Sequence, residues 1–370
     1  MTYIFTLHPD TEAELKQYQE QLVLDRSIAG RYLKQALADV SDQALQQLAL
    51  DEFIERFINT KHPQIFAEMS ISGDGSDWTV QELRLLGAIA CAVPCTLFDD
   101  GLHHKSNPHQ IPLEGHLLFV PGPLLRHCSG QNHRACDYDL VTTNAQLDQA
   151  KYTQLMTKRL LPSLLWAQQR CKELGKQALI TIPGLGCGVF AGKFRGQLEL
   201  CLETALASIL KQYGAQLDHI KALYFDPYRS LQYQTQSFMH SQTSSGQTST
   251  SHLITRPLIP NGHPQLCYPE TYNQEGLDFS DCVLFSVVAW DHVSWPGNDY
   301  YIGSRATDDG VKGAASDVIY RLTGFEGSYD QNEEMYLPPS SYPHWQALVF
   351  DHDCRLQYRK FIPELSTCPS

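Results

Sequence analysis

Long apolar runs are missing from this 370-residue chain. None approaches the roughly 18 consecutive apolar residues of a membrane span, which excludes a helical membrane protein. The start, MTYIFTLHPDTEAELK, lacks a basic stretch followed by an apolar one. No Sec-type signal is therefore visible, and a cytosolic fold is expected, with export by a route that leaves no such mark still open. Positive charge is scarce: 28 Lys and Arg stand against 41 Asp and Glu, a net charge of −13. Phosphate backbones are bound by clustered cations, so nucleic acid is a poor partner, and a basic protein surface or a small ligand suits the chain better. The eleven cysteines are odd in number and scattered, without the framework of a small disulfide domain, so reduced and mostly buried thiols are expected. No internal repeat is present.

What is there is a large apolar fraction, 42%, enough for one big domain with additions or for two domains. Residues 10 to about 60 carry apolar side chains at helical spacing (Leu15, Tyr18, Leu22, then Leu45, Leu48, Phe53 and Phe57), with Ser41 as an N-cap. They read as a helical extension over residues 1–65, ahead of a main domain over 66–370. From residue 70 short apolar runs alternate with helical stretches. Helices are expected over 78–91, about 147–173 (with Pro162 inside) and 196–213. Strands are expected over 92–98, 116–122, 137–143, 177–183, 219–227, 252–258, 281–290, 345–350 and 355–362. The Ser/Thr/Gln-rich stretch of about 234–252 reads as a flexible insertion. Such alternation indicates a three-layer α/β/α sandwich with a mixed central sheet. Its ligand crevice should lie beyond the carboxyl ends of the strands, where the loops after Phe98, Pro183 and Trp290 are expected to meet.

Two of those loops carry chemistry. GLGCGVFAGKFRG (184–196) follows a strand and opens a helix, so its backbone N–H groups can cradle a diphosphate. It is neither a Walker A sequence nor a dinucleotide fingerprint, because Val189 stands where the third glycine should be. A tight turn with close strand–helix packing is the plain alternative. Cys187 in that loop raises the possibility of a nucleophilic thiol, and FDDGLHH (98–104) with His109 and His116 offers metal-ligand residue types, though at no recognised zinc spacing. The second loop, WDHVSWPGNDYYIGSRATDDG (290–310), holds Asp291, Asp299, Asp308 and Asp309. Turn chemistry could explain them, but long loops with aromatic residues at strand ends are usually functional.

Together these two motifs resemble those of the macrodomains, α/β/α modules that bind ADP-ribose, and in particular a divergent branch of effector hydrolases acting on ADP-ribosylated ubiquitin. The resemblance spans most of the chain after residue 70. It implies catalytic roles for Asp291, Asp299 and Asp309, with Asp308 as an adjacent competitor. It implies ligand contacts from Gly184, Gly186, Cys187, Gly188, Val189, Phe190, Trp295 and Asn298. An adenine contact falls to Asp99 or Asp100, and a ribose contact to Asn144 in LVTTNAQ. The implied activity is hydrolysis of the N-glycosidic bond between ADP-ribose and a protein arginine, with no metal or cofactor and with an ADP-ribosylated protein such as ubiquitin as partner. It also implies an effector delivered to a host cytosol. The rivals are a non-catalytic ADP-ribose reader and a thiol- or metal-dependent hydrolase.

Overall fold

Apolar runs become strands here because their side chains alternate between two separate cores. In Ile89–Phe98, Ile89, Cys91, Val93, Cys95 and Leu97 enter one core while Ala90 and Ala92 enter the other. This is the period-two pattern of a sheet covered on both faces. The structure is a computed structural model that describes residues 3–63, 68, 71–72, 74–98, 112–126, 135–227, 234–241, 248–255, 268–297, 315–316, 318–325, 327–330 and 335–365.

The chain opens with β1 (Tyr3–Leu7), followed by α1 (Pro9–Leu24), α2 (Arg31–Ala36), α3 (Asp42–Gln47), α4 (Leu50–Ile58) and α5 (Val80–Leu86). Next come β2 (Ile89–Phe98), β3 (Leu113–Pro121), α6 (Tyr138–Val141), the short pair β4 (Thr142–Thr143) and β5 (Gln146–Leu147), and α7 (Gln149–Leu174). Then β6 (Gln177–Pro183), α8 (Leu198–Tyr213), β7 (Ile220–Asp226), β8 (Gln234–Ser241), β9 (Thr248–Thr255) and β10 (Cys282–Trp290) complete the main sheet's centre. The last elements are β11 (Ala315–Ser316), α9 (Val318–Thr323), β12 (Ser328–Asp330), β13 (Met335–Leu337), α10 (Trp345–Asp351) and β14 (Tyr358–Phe361).

Ten strands form one mixed sheet in the order β14-β1-β2-β3-β10-β6-β7-β9-β8, with β11 added alongside β2. Helices α1, α2, α4 and α5 bury Leu15, Leu33, Phe53, Phe57 and Leu83 on one face. Helices α7 and α8 bury Leu160, Leu164, Leu202 and Leu206 on the other. The expected α/β/α sandwich is therefore the architecture, and β1 sits inside its sheet, between β14 and β2. Helix α7 runs unbroken through Pro162, capped by the Asp148 carboxylate at its start and by left-handed Gly175 at its end. Among the described residues no helix is long and apolar enough to cross a membrane.

Several expectations change. The helix over 78–91 is shorter, running from a Thr79–Glu82 capping box to Gly87, and β2 begins earlier. The 137–143 stretch is helical turn α6 followed by β4, because Asp137 is held by groups distant in sequence. Residues 345–350 form helix α10: Trp345 and Leu348 are buried three apart while Phe350 faces solvent, a helical and not a strand pattern. The described parts of 234–252 lie in strands β8 and β9, paired antiparallel at the sheet's edge. Strand β2 runs antiparallel to β3, so Phe98 leaves the edge opposite to Pro121. The loops after Pro183 and Trp290 leave from one edge and Phe98 ends at the other; residues 99–111, and with them the expected meeting of the three loops, lie outside the described residues.

Candidate functional site

Strands β3, β10 and β6 are parallel neighbours, and their carboxyl ends form one rim. Trp290 pairs with Pro121, and on the other side Pro183 of β6 pairs with Asp226 of β7. This rim is where an open α/β sheet places ligands.

The Gly-rich loop leaves β6 at Pro183 and turns at once. Leu185 N–H donates to the Pro183 carbonyl at 2.9 Å and Cys187 N–H to Gly184 O at 3.0 Å. Gly186 adopts φ +69°, where an L side chain is strained, and a Cβ there would lie 2.7 Å from Pro123 Cδ. Gly122 meets Gly186 backbone to backbone, since a Cβ on Gly122 would stand 2.4 Å from the Gly186 nitrogen. Gly188 instead borders open space, with nothing within 4 Å of a Cβ placed on it. The helix expected from Gly196 runs from Leu198, and the loop before it contains a 3-10 segment, Val189–Phe194. Val189 is half exposed, Phe190 is partly buried, and the Phe190 carbonyl accepts from Leu125 N–H. The Cys187 side chain is only 5% exposed and its sulfur lies 3.6 Å from the Leu185 carbonyl, so the loop does not present a solvent-facing thiolate.

The acidic loop starts one strand away. Gly122 N–H donates to Trp290 O at 3.1 Å, which ties the glycine turn to the root of that loop. Asp291 then folds back: its carboxylate accepts Val293 N–H at 2.7 Å, Ser294 N–H at 2.6 Å and the Ser294 hydroxyl. Residues 293–295 add to residue 62 as a short bridge, with His62 N–H donating to Val293 O and Trp295 N–H to His62 O. Trp295 is buried in the core beneath this turn. Gly297 sits against Val318, where a Cβ would lie 2.1 Å from Val318 Cγ1, and Ala315 pairs with Phe98. Asn298, Asp299, Asp308 and Asp309 lie outside the described residues, as do Asp99, Asp100, His103, His104 and His109. Asn144 is at φ 51° in the turn between β4 and β5, a conformation asparagine tolerates.

A buried polar network underlies the rim, and sequence reasoning did not find it. Asp137 accepts from Arg159 at 2.8 Å, from Leu124 N–H at 2.8 Å and from His292 Nε2 at 3.1 Å. Arg159 also donates to Gly122 O at 3.0 Å. Burial would push the Asp137 carboxyl up, but the Arg159 guanidinium and then His292 overturn this and hold it well below the usual carboxylate range. Burial lowers the His292 pKa, with Asp137 opposing, so the ring is neutral near pH 7 and donates its Nε2–H. The one signal in the sequence is Arg159 itself, a charged residue among Leu155, Met156, Leu160 and Leu161 on an apolar helix face. Cys136, Asp137 and His292 bring ligand-type atoms within 4.8 Å of one another. With the guanidinium already neutralising Asp137, the trio reads as a closed hydrogen-bond network and not as a metal centre. His116 is partly buried, stacked 4.6 Å from Phe285, with burial lowering its pKa to about 4.

The sequence also matches a family model described as macrodomain effector MavL, over residues 3–342. No curated protein matches it.

Proposed function

The chain belongs to the macrodomain effector MavL family, and from that premise we propose that it is an ADP-ribosyl hydrolase that releases ADP-ribose from a protein arginine, with ADP-ribosylated ubiquitin as its substrate. The observation that carries this reading is the adjacency of two loops on one rim. A glycine turn open above Gly188 lies, through Gly122, against the root of a loop bearing several aspartates. Backbone N–H groups there would hold the diphosphate, and the neighbouring strand would deliver carboxylates to the distal ribose. Breaking the bond from ribose C1″ to a guanidinium passes through an oxocarbenium-like state, which a carboxylate stabilises while a second activates water. Asp299 and Asp309 take those two duties. Asp291, its oxygens engaged by Val293 and Ser294, orients the loop and adds negative charge at its root. Asp99 or Asp100 remains the proposed adenine contact, and delivery into a host cytosol the proposed setting.

Mass spectrometry of ADP-ribosylated ubiquitin incubated with the protein tests the activity. The expected result is unmodified ubiquitin and free ADP-ribose; intact substrate under conditions where ADP-ribose binds overturns hydrolysis. The cradle has its own test. Because Gly188 faces open space, Gly188→Glu should leave the urea midpoint nearly unchanged, yet its carboxylate would repel a diphosphate. Calorimetry should show ADP-ribose affinity down by about tenfold or more, roughly 1.4 kcal/mol. Unchanged affinity would move the diphosphate elsewhere.

A further inference from the structure

Lys61 is a buried cation, 2% exposed, that the proposed reaction does not use. Its ammonium lies 4.1 Å over the Trp290 ring and donates to the His292 carbonyl at 2.5 Å. The Asp291 carboxylate faces it from the acidic loop and the Cys91 thiol from β2. The next residue, His62, makes the two backbone bonds that hold Val293 and Trp295. A charge taken out of water is costly unless it is well paired. One aromatic face, one carbonyl and one carboxylate already shared with Ser294 compensate only partly. Burial accordingly lowers the Lys61 pKa to about 7, against the opposing pull of Asp291 and then Cys91.

The sign of that shift matters. A lysine whose folded pKa falls below its unfolded value penalises the fold while it is charged, and the penalty is relieved as pH rises above the folded value. Stability alone therefore does not account for a charged lysine here. What its ammonium does is join the Trp290 ring and the His292 carbonyl to the segment at residues 61–62, on the side from which the acidic loop departs.

We propose that Lys61 is a positioning residue for the acidic loop, whose charge fixes the Trp290–Gly297 turn and so the point from which Asp299 is presented. The kinetic consequence rests on the hydrolase reading; the conformational one does not. Lys61→Met removes the charge at similar length, and Lys61→Arg keeps it. Amide hydrogen exchange at pH 6.5 is expected to speed up by about tenfold or more at residues 293–297 in Lys61→Met, with β6 and β7 still protected and the melting temperature unchanged or higher. Lys61→Arg should restore protection at residues 293–297.

On ADP-ribosylated ubiquitin, Lys61→Met should lower kcat by about tenfold or more while ADP-ribose affinity stays within about threefold. The wild-type rate should fall as pH rises through about 7, and Lys61→Arg should shift that decline upward. Unchanged exchange at 293–297 overturns the proposal, as does a general loss of protection with a lower melting temperature in Lys61→Met that Lys61→Arg does not repair. If wild type fails to hydrolyse the substrate, the hydrolase reading falls, and the exchange experiment still decides the role of Lys61.

Discussion

Asp299→Ala and Asp309→Ala should each lose about 10²–10³-fold in kcat, as removal of one electrostatic stabiliser of a charged transition state does, while ADP-ribose still binds. Separation of the two effects is expected because the carboxylates act on charge that develops only as the C1″–N bond breaks. The ground-state ligand is held instead by the glycine turn and its neighbours. Chain geometry makes Asp299 the sharper case. It follows Gly297, a backbone position fixed against Val318, by only two residues. Asp309 stands six residues before Ala315, which pairs with Phe98, a longer tether. Single-turnover release of ADP-ribose from modified ubiquitin measures turnover, and calorimetry with ADP-ribose measures binding. Wild-type turnover in either variant removes that residue from its role, and Asp309→Ala with full activity would pass the duty to Asp308. Parallel loss of turnover and affinity would make the aspartate a binding group instead.

Which parts of this arrangement could be read from the sequence depended on how local their causes were. Strands β6 and β10 were legible because mostly apolar runs of seven and nine residues, bounded by turn residues, have few alternatives in a sheet covered on both faces. Helices α7 and α8 were legible from period and length. Strand β8 and the first half of β9 were not, since they are polar, while the expected strand from His252 meets β9 where Leu253, Ile254 and Thr255 are buried. Five apolar residues of the six at 345–350 fit either period, and only the exposure of Phe350 against the burial of Trp345 and Leu348 decides it. The direction of β2 is a matter of pairing, which no local pattern encodes, so the placing of Phe98 at the edge opposite Pro121 could not be read in advance. Among site residues, Gly184, Gly186 and Gly188 announce a tight loop by composition. Lys61 and His62 acquire their roles through partners more than 200 residues away, and Asp137 through Arg159, 22 residues on, and His292, 155 residues on.

Arg159→Met should destabilise the protein by about 3–5 kcal/mol, the cost of leaving one member of a buried ion pair without its partner. The guanidinium satisfies Asp137 and donates to the carbonyls of Pro121 and Gly122, and Asp137 in turn orders Leu124 and His292. Methionine fills similar volume but supplies none of these donors. Urea denaturation should show a lower midpoint with an unchanged slope, and a loss under about 1 kcal/mol would mean that the network is held mainly by its other hydrogen bonds. Acidification gives a second reading with a definite sign. In wild type the folded Asp137 pKa is depressed, so its contribution is present above the unfolded carboxylate value, about 4, and is lost as pH falls toward the folded value. Without Arg159, burial outweighs what His292 and Leu124 offer, and the Asp137 pKa moves above the ordinary range. Protonation then relieves the fold, so lowering the pH from 7 to 5 should narrow the gap between variant and wild type. Adding Asp137→Asn to Arg159→Met should recover part of the loss at pH 7, because it removes the stranded charge. The same lesion reaches the site: Gly122 loses the donor on its carbonyl while its backbone still abuts Gly186, so ADP-ribose affinity should fall in Arg159→Met even where the protein remains folded.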